Sequence, residues 1–234
     1  MCGRYASARK RHDLLEEFEV ELDSAEELEP DYNVAPTKEV YAVLSRVPKV
    51  EGATRPVRQL RVLRWGLVPS WAKDPSIGSK MINARVETVA DKPAFRRAFA
   101  SRRCLLPADG YYEWMPTEQK RKQPYFIHRA DGDVLAMAGL YEFWKDPEDD
   151  WLVTCTVITT TAEDELGHIH DRTPMLIQRD RWSQWLDPRF PDPKELLVPA
   201  TGRGLVATPV STAVNNVRNN GPELIEAVEA PLDL

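Results

Sequence analysis

Nineteen prolines are spread along 234 residues, against only eleven glycines. A proline has no amide hydrogen to donate and holds φ near −65°, so a chain punctuated this often cannot run long helices. Short elements joined by stiffened loops are what remains. The segments between the prolines read mostly as strands: 39–47, 60–66, 102–108, 110–115, 124–129, 133–143, 151–160 and 174–178 are each rich in β-branched or aromatic residues. Ser7 can cap a helix in which Leu14, Leu15, Phe18 and Leu22 share a face, with acidic residues between 13 and 29 opposite and Glu29-Pro30 as its stop. Short helices are expected at 92–100, opened by Pro93, and at 179–186. There is no βαβ rhythm, repeat or linker-like break. The expectation is a single α+β domain over 1–234, with a largely antiparallel, barrel-like β-sheet and peripheral short helices.

A hydrophobic fraction of 42% and a charged fraction of 29% exclude wholesale disorder. No stretch has the apolar length of a membrane span, and the opening MCGRYASARKRHD lacks the apolar run of a secretory signal. Three cysteines, Cys2, Cys104 and Cys155, cannot all pair. A cytoplasmic protein is expected, or a nuclear one in a eukaryote, with no membrane partner.

The net charge of −6 argues against a sequence-blind coat for nucleic acid, but its distribution is uneven. Residues 1–12 carry four bases and no acid, residues 13–31 ten acids and no base, and residues 55–103 twelve bases against three acids. A locally basic surface is compatible with that segregation. Solvated faces of ordinary strands and helices would account for it equally well.

Several segments carry groups suited to chemistry. If Met1 is removed, Cys2 presents an α-amine and a thiol on adjacent carbons, both with usable nucleophilic fractions near neutral pH. Such an aminothiol can form a Schiff base with an aldehyde and then close a five-membered thiazolidine. In MINARVET (81–88), Asn83, Arg85 and Glu87 alternate, so extended backbone would send all three to one face. In GYYEWM (110–115), Glu113 lies among aromatics, where desolvation would raise its pKa toward acid–base range; an ion pair with Arg85 or Arg103 is the structural alternative. In WGLVPSWAKD (65–74), Trp65 reads as core, whereas Trp71 falls in a loop beside Lys73 and could stack on a base. His168 and His170 would share a face in extended chain, continued by Arg172. No third ligand at suitable spacing supports a metal there, and no metal or cofactor is expected.

Taken in order, MCGRY, YNVAPT (32–37), WGLVPSWAKD, MINARVET, ADGYYEW (108–114), MAGLYEFW (137–144), HIHDRTPM (168–175) and PVSTAVNNVRNNGPELI (209–225) resemble the SRAP family. These are the SOS response-associated peptidases, abasic-site DNA–protein crosslinking proteins. The resemblance covers nearly the whole chain. Thr173 departs from it, standing where many members carry Met or another larger residue, beside His170. It implies loss of Met1 by self-processing, followed by attack of Cys2 on the ring-opened aldehyde of an abasic site in single-stranded DNA. A thiazolidine crosslink would shield the lesion, with lyase-type Schiff-base chemistry on the way. By motif position it assigns catalytic roles to Cys2, Asn83, Glu113 and His170, and DNA contacts to Arg4, Trp71, Arg85 and Arg172. A monomer is expected; protein partners are not indicated. Two other classes fit the residues alone: an N-terminal-nucleophile cysteine amidohydrolase, and a non-catalytic single-strand-binding module.

Overall fold

Thirteen strands and three short α-helices make up the computed structural model, which describes residues 2–117, 122–162, 165–198 and 204–229. The chain begins with β1 (Tyr5–Ser7), α1 (Arg11–Glu17), β2 (Leu22–Asp23), β3 (Asp31–Val34), β4 (Glu39–Arg46) and β5 (Val57–Trp65). It continues through β6 (Asn83–Arg85), α2 (Arg96–Ser101), β7 (Arg103–Ala108), β8 (Gly110–Pro116) and β9 (Lys122–Arg129). The last part holds β10 (Leu135–Lys145), β11 (Trp151–Thr161), β12 (Arg172–Pro174), α3 (Trp182–Leu186) and β13 (Leu205–Pro209).

Antiparallel pairings link β11, β10, β7, β4 and β5 in that order. A parallel pairing of β5 with β11, Trp65 opposite Cys155, closes the five strands into a barrel. Closure separates the two faces of each strand. One face carries Ala42, Leu63, Trp65, Cys104, Leu106, Tyr141, Cys155 and Val157. The other packs Val43, Leu60, Leu105 and Leu140 against Leu14 and Phe18 of α1, Phe99 of α2, and Trp182 and Trp185 of α3. Helices can cover only the outside of a closed barrel, so the first set is its interior. Space there is tight at Gly139, where an added Cβ would lie 2.9 Å from the Cys104 Sγ. A second sheet, ordered β13-β9-β8-β1-β3, contributes Tyr5, Val34, Tyr111 and Ile127 to the interior cluster.

β11 organises the site. Its middle closes the barrel on β5, and its C-terminal half continues to hold β6 in parallel and β12 in antiparallel pairing, on opposite edges at Thr159. Asn83, Arg85 and Arg172 are thereby mounted around one strand end.

The α+β barrel matches the sequence expectation, and seven of the eight strand segments fall on observed strands. The exception is 174–178, where pairing ends at Pro174 and resumes only as a bridge between Leu176 and Met137. The acidic helix is much shorter than expected. Ser7 lies in β1 and caps nothing, and α1 ends at Glu17, just before Glu19 takes a left-handed φ of 49°. The chain then turns extended because the Glu21 and Ser24 amides donate to the Arg58 and Leu60 carbonyls of β5. Leu22 stays exposed instead of joining the helix face. Five carboxylates of this acidic stretch pair with arginines: Glu17 with Arg179, Glu19 with Arg58, Glu21 with Arg55, and Asp23 and Glu27 with Arg11. Part of the basic segment is thus matched by the acidic one.

Candidate active site

Cys2 is fully buried, and β-sheet register explains where it lies. β1 runs antiparallel to β8 with Tyr5 opposite Tyr111, and the Tyr112 amide donates to the Arg4 carbonyl. Continuing that register toward the N-terminus places Gly3 opposite Glu113, and Cys2, the next residue, is near enough for the Glu113 carboxyl to act on its thiol. From the other side, β6 delivers Asn83, whose Nδ2 donates to the Cys2 carbonyl at 2.8 Å. The Asn83 Oδ1 is buried without a hydrogen-bond partner among the described residues. Burial pushes the Cys2 thiol well above its ordinary pKa, and the nearby Glu113 carboxyl pushes it further. The thiol is therefore neutral at physiological pH.

Glu113 is only 4% exposed. Desolvation raises its pKa to about 8, with Asp171 adding to the shift. A carboxyl in this state is mostly protonated at neutral pH and can donate a proton.

His170 reaches the same neighbourhood through its loop. Ile169 is buried against Met115, two residues along β8 from Glu113, and against Tyr125, which lies directly opposite Glu113 in β9. The Thr173 hydroxyl is 2.8 Å from that of Tyr111, fastening the far end of the loop to β8. Burial lowers the His170 pKa. Its Nδ1 accepts from the Arg172 amide at 3.0 Å and lies equally close to the Asp171 Oδ1, which asks for the opposite proton placement. A half-buried ring held below its ordinary pKa is neutral, so the amide decides and the ring proton sits on Nε2. His168 does not share its face. It ends a 3₁₀ turn, Glu165–His168, and is exposed, because the chain there is coiled rather than extended. Among the described residues no group of three or more His, Cys, Asp or Glu could hold a metal ion.

The four expected cation and aromatic positions differ in kind. Trp71 is 58% exposed on a loop anchored by the Trp144 Nε1, which donates to the Ala72 carbonyl. Arg85 is exposed on β6, two residues from Asn83. Arg172 forks onto Glu87 through both terminal nitrogens, at 2.7 and 3.1 Å, and also bonds the Thr159 carbonyl. Glu87 has left the strand for a turn, so it meets Arg172 rather than lying in line with Asn83 and Arg85. Arg4 is tied to the second sheet, its Nη1 donating to the Asn33 Oδ1 and the Val214 carbonyl. Arg103 instead serves the fold, donating to the carbonyls of Trp185, Phe99, Ala100 and Asp187. The Tyr111–Thr173 and Glu87–Arg172 contacts have no counterpart in the sequence reading, since each joins segments far apart in the chain.

Residues 1–217 match the family described as SOS response associated peptidase (SRAP). The chain belongs to that family. Its relatives include the Bacillus subtilis (strain 168) protein named abasic site processing protein YoqW, 41% identical over 97% of this chain and 100% of that one. The Escherichia coli (strain K12) abasic site processing protein YedK is 34% identical over 97% of this chain and 100% of its own length. The Xenopus tropicalis abasic site processing protein HMCES is 32% identical, covering 87% of this chain and 68% of its own. Among solved structures, a Bacteroides thetaiotaomicron protein superposes with a TM-score of 0.83 over 97% of this SRAP chain and 100% of that one; at 23% identity it shows the shared fold. A Bordetella bronchiseptica protein, 26% identical, superposes with a TM-score of 0.71 over 90% and 100%.

Proposed function

We propose that this SRAP protein processes abasic sites in single-stranded DNA by covalent capture on Cys2, once Met1, which lies outside the described residues, has been removed. The observation that carries the reading is the placement of Cys2 between Asn83, bonded to its carbonyl, and Glu113, a carboxyl held protonated by burial. That environment suits an aminothiol meeting an aldehyde.

The chemistry balances with the groups present. The Cys2 amine adds to the C1′ aldehyde of the ring-opened sugar, and the resulting carbinolamine loses water when Glu113 protonates its hydroxyl. The thiol then adds to the iminium carbon as its proton returns to the Glu113 carboxylate, closing the thiazolidine and restoring the acid. Because burial raises the pKa of Cys2, the thiol gives up its proton only in this closing step. His170, neutral with its proton on Nε2, is suited to relay protons during Schiff-base formation and reversal. The same Schiff base is the entry to lyase-type strand cleavage. Release of Met1 by the protein itself would use the same carboxyl and amide. Arg85 and Trp71, both exposed, would hold a phosphate and a base of the flanking strand, with Arg172 and Arg4 beside the path. A hydrolase built on a Cys2 thiolate is disfavoured, because burial opposes that anion.

The test is a denaturing gel of the protein incubated with a single strand carrying one abasic site. A heat-stable adduct is expected from the wild type and none from Cys2→Ala. An adduct that persists in Cys2→Ala, or in a chain shown by intact mass to retain Met1, would contradict the mechanism.

A further inference from the structure

The charged groups around the end of β11 are not arranged as a bare phosphate clamp. Arg172 has its outward fork occupied: Nη1 and Nη2 meet the two carboxylate oxygens of Glu87, Nη2 also donates to the Thr159 carbonyl at 2.6 Å, and Nη1 lies 3.4 Å from the Thr161 hydroxyl. The remaining nitrogen, Nε, is buried. Nothing on this guanidinium is left to meet a ligand while Glu87 stays in place. A carboxylate and a phosphodiester fit the same fork geometry, so they compete for it. Glu87 can yield, since its side chain is 48% exposed and sits on the turn after β6. Arg85, exposed two residues earlier, contributes to holding that carboxylate ionised, as does Arg172 more strongly.

We infer that Glu87 is an internal competitor for backbone phosphate at Arg172, a residue that weakens reversible binding to single strands. The inference rests on the proposed function. Phosphate contacts supply affinity without regard to sequence or damage, so masking one cation lowers affinity for every strand alike. Discrimination then falls to the covalent step at Cys2, which only an aldehyde can complete. Glu87 would thus shorten the protein's residence on strands that carry no aldehyde, without recognising the lesion.

Salt titration separates competition from simple support of Arg172. Binding of a fluorescently labelled, undamaged single strand is followed by anisotropy at several salt concentrations for the wild type, Glu87→Gln, Arg172→Gln and the double variant. Competition requires Glu87→Gln to bind roughly fivefold tighter, the scale of releasing one partly exposed ion pair. Its plot of log affinity against log salt should be steeper by about 0.7, one added single-strand phosphate contact. On the Arg172→Gln background the Glu87→Gln change should have no effect. Weaker binding, an unchanged slope, or a gain that survives in the Arg172→Gln background overturns the inference; so does absence of binding by every form. Thermal melts of each variant identify any loss of fold, and Glu87→Asp, which keeps the charge on a shorter stem, should fall between wild type and Glu87→Gln. The abasic-strand gel reports on the proposed function separately. An adduct from wild type with no Glu87 effect sinks only this inference, whereas a Glu87 effect without any adduct sinks only the capture mechanism.

Discussion

The side-chain amide of Asn83 donates to the backbone carbonyl of Cys2 at 2.8 Å, joining β6 to the N-terminal segment across 81 residues of sequence. The bond holds Cys2 by its main chain and engages neither its thiol nor its α-nitrogen. Loss of this donor should therefore affect geometry more than nucleophilicity.

Asn83→Asp keeps size and shape but puts an acceptor opposite the Cys2 carbonyl. The single-turnover rate of adduct formation should fall at least tenfold, because a displaced Cys2 no longer meets the aldehyde in register. A rate within twofold of wild type would show that the bond does not position the nucleophile.

Glu113 should impose a pH dependence. Its pKa is raised from 4.5 to about 8 in the folded protein, so between those values the native state holds a proton that the unfolded chain has released. Stability from this residue is intact below pH 4.5 and is lost as pH rises toward 8. Relative to Glu113→Gln, the wild type should lose up to about 5 kcal/mol across that window, measured by urea unfolding at a series of pH values. Adduct formation should also decline above pH 8 in the wild type, and Glu113→Gln should be slow throughout. A flat stability difference would show that the carboxyl titrates near its ordinary value.

Trp71 makes little contribution to the core, being largely exposed. Trp71→Ala should change stability by under about 0.5 kcal/mol, the range of ordinary surface substitutions. Binding of single-stranded DNA should weaken about tenfold, the scale of one base–aromatic stack. Unchanged affinity would remove Trp71 from the binding path.

Gly139 tests the barrel interior. An added Cβ would lie 2.9 Å from the Cys104 Sγ and 3.1 Å from Leu106. Gly139→Ala should destabilise by about 1–3 kcal/mol through overpacking, read as a lowered urea midpoint with unchanged slope. A neutral result would mean that the interior is looser than its contacts indicate.

Arg103 is buried and donates to four backbone carbonyls near α2 and α3. Arg103→Met should cost about 3 kcal/mol, because those carbonyls lose a charged donor at once. Thermal melting would reveal it, and DNA affinity in the folded fraction should be unchanged.

Much of the fold was legible locally. Strands such as 39–47 and 151–160 carry β-branched and aromatic runs whose pairing preferences do not depend on distant partners. The acidic segment departs from its local pattern: Leu14, Leu15, Phe18 and Leu22 have helical spacing, but the backbone beyond Glu19 donates to β5, a partner that no local pattern displays. The two histidines illustrate the point at smaller scale, since their shared face depended on an extended chain that the 3₁₀ turn at Glu165–His168 replaces.

Charge shows the division most clearly. Composition and order along the chain determined how many cations lie between residues 55 and 103, and the motif residues determined the family. Only the tertiary structure decided what each cation does. Arg58 and Arg55 neutralise the acidic segment, Arg102 pairs with Glu142, Arg103 is committed to carbonyls, and Arg85 stays exposed. Residue types set which interactions are possible, whereas an ion pair forms where folding brings two groups within a few ångströms and removes competing water. Proximity of that kind, as between Cys2 and Glu113 or Arg172 and Glu87, is a property of strand register and barrel closure rather than of spacing along the chain.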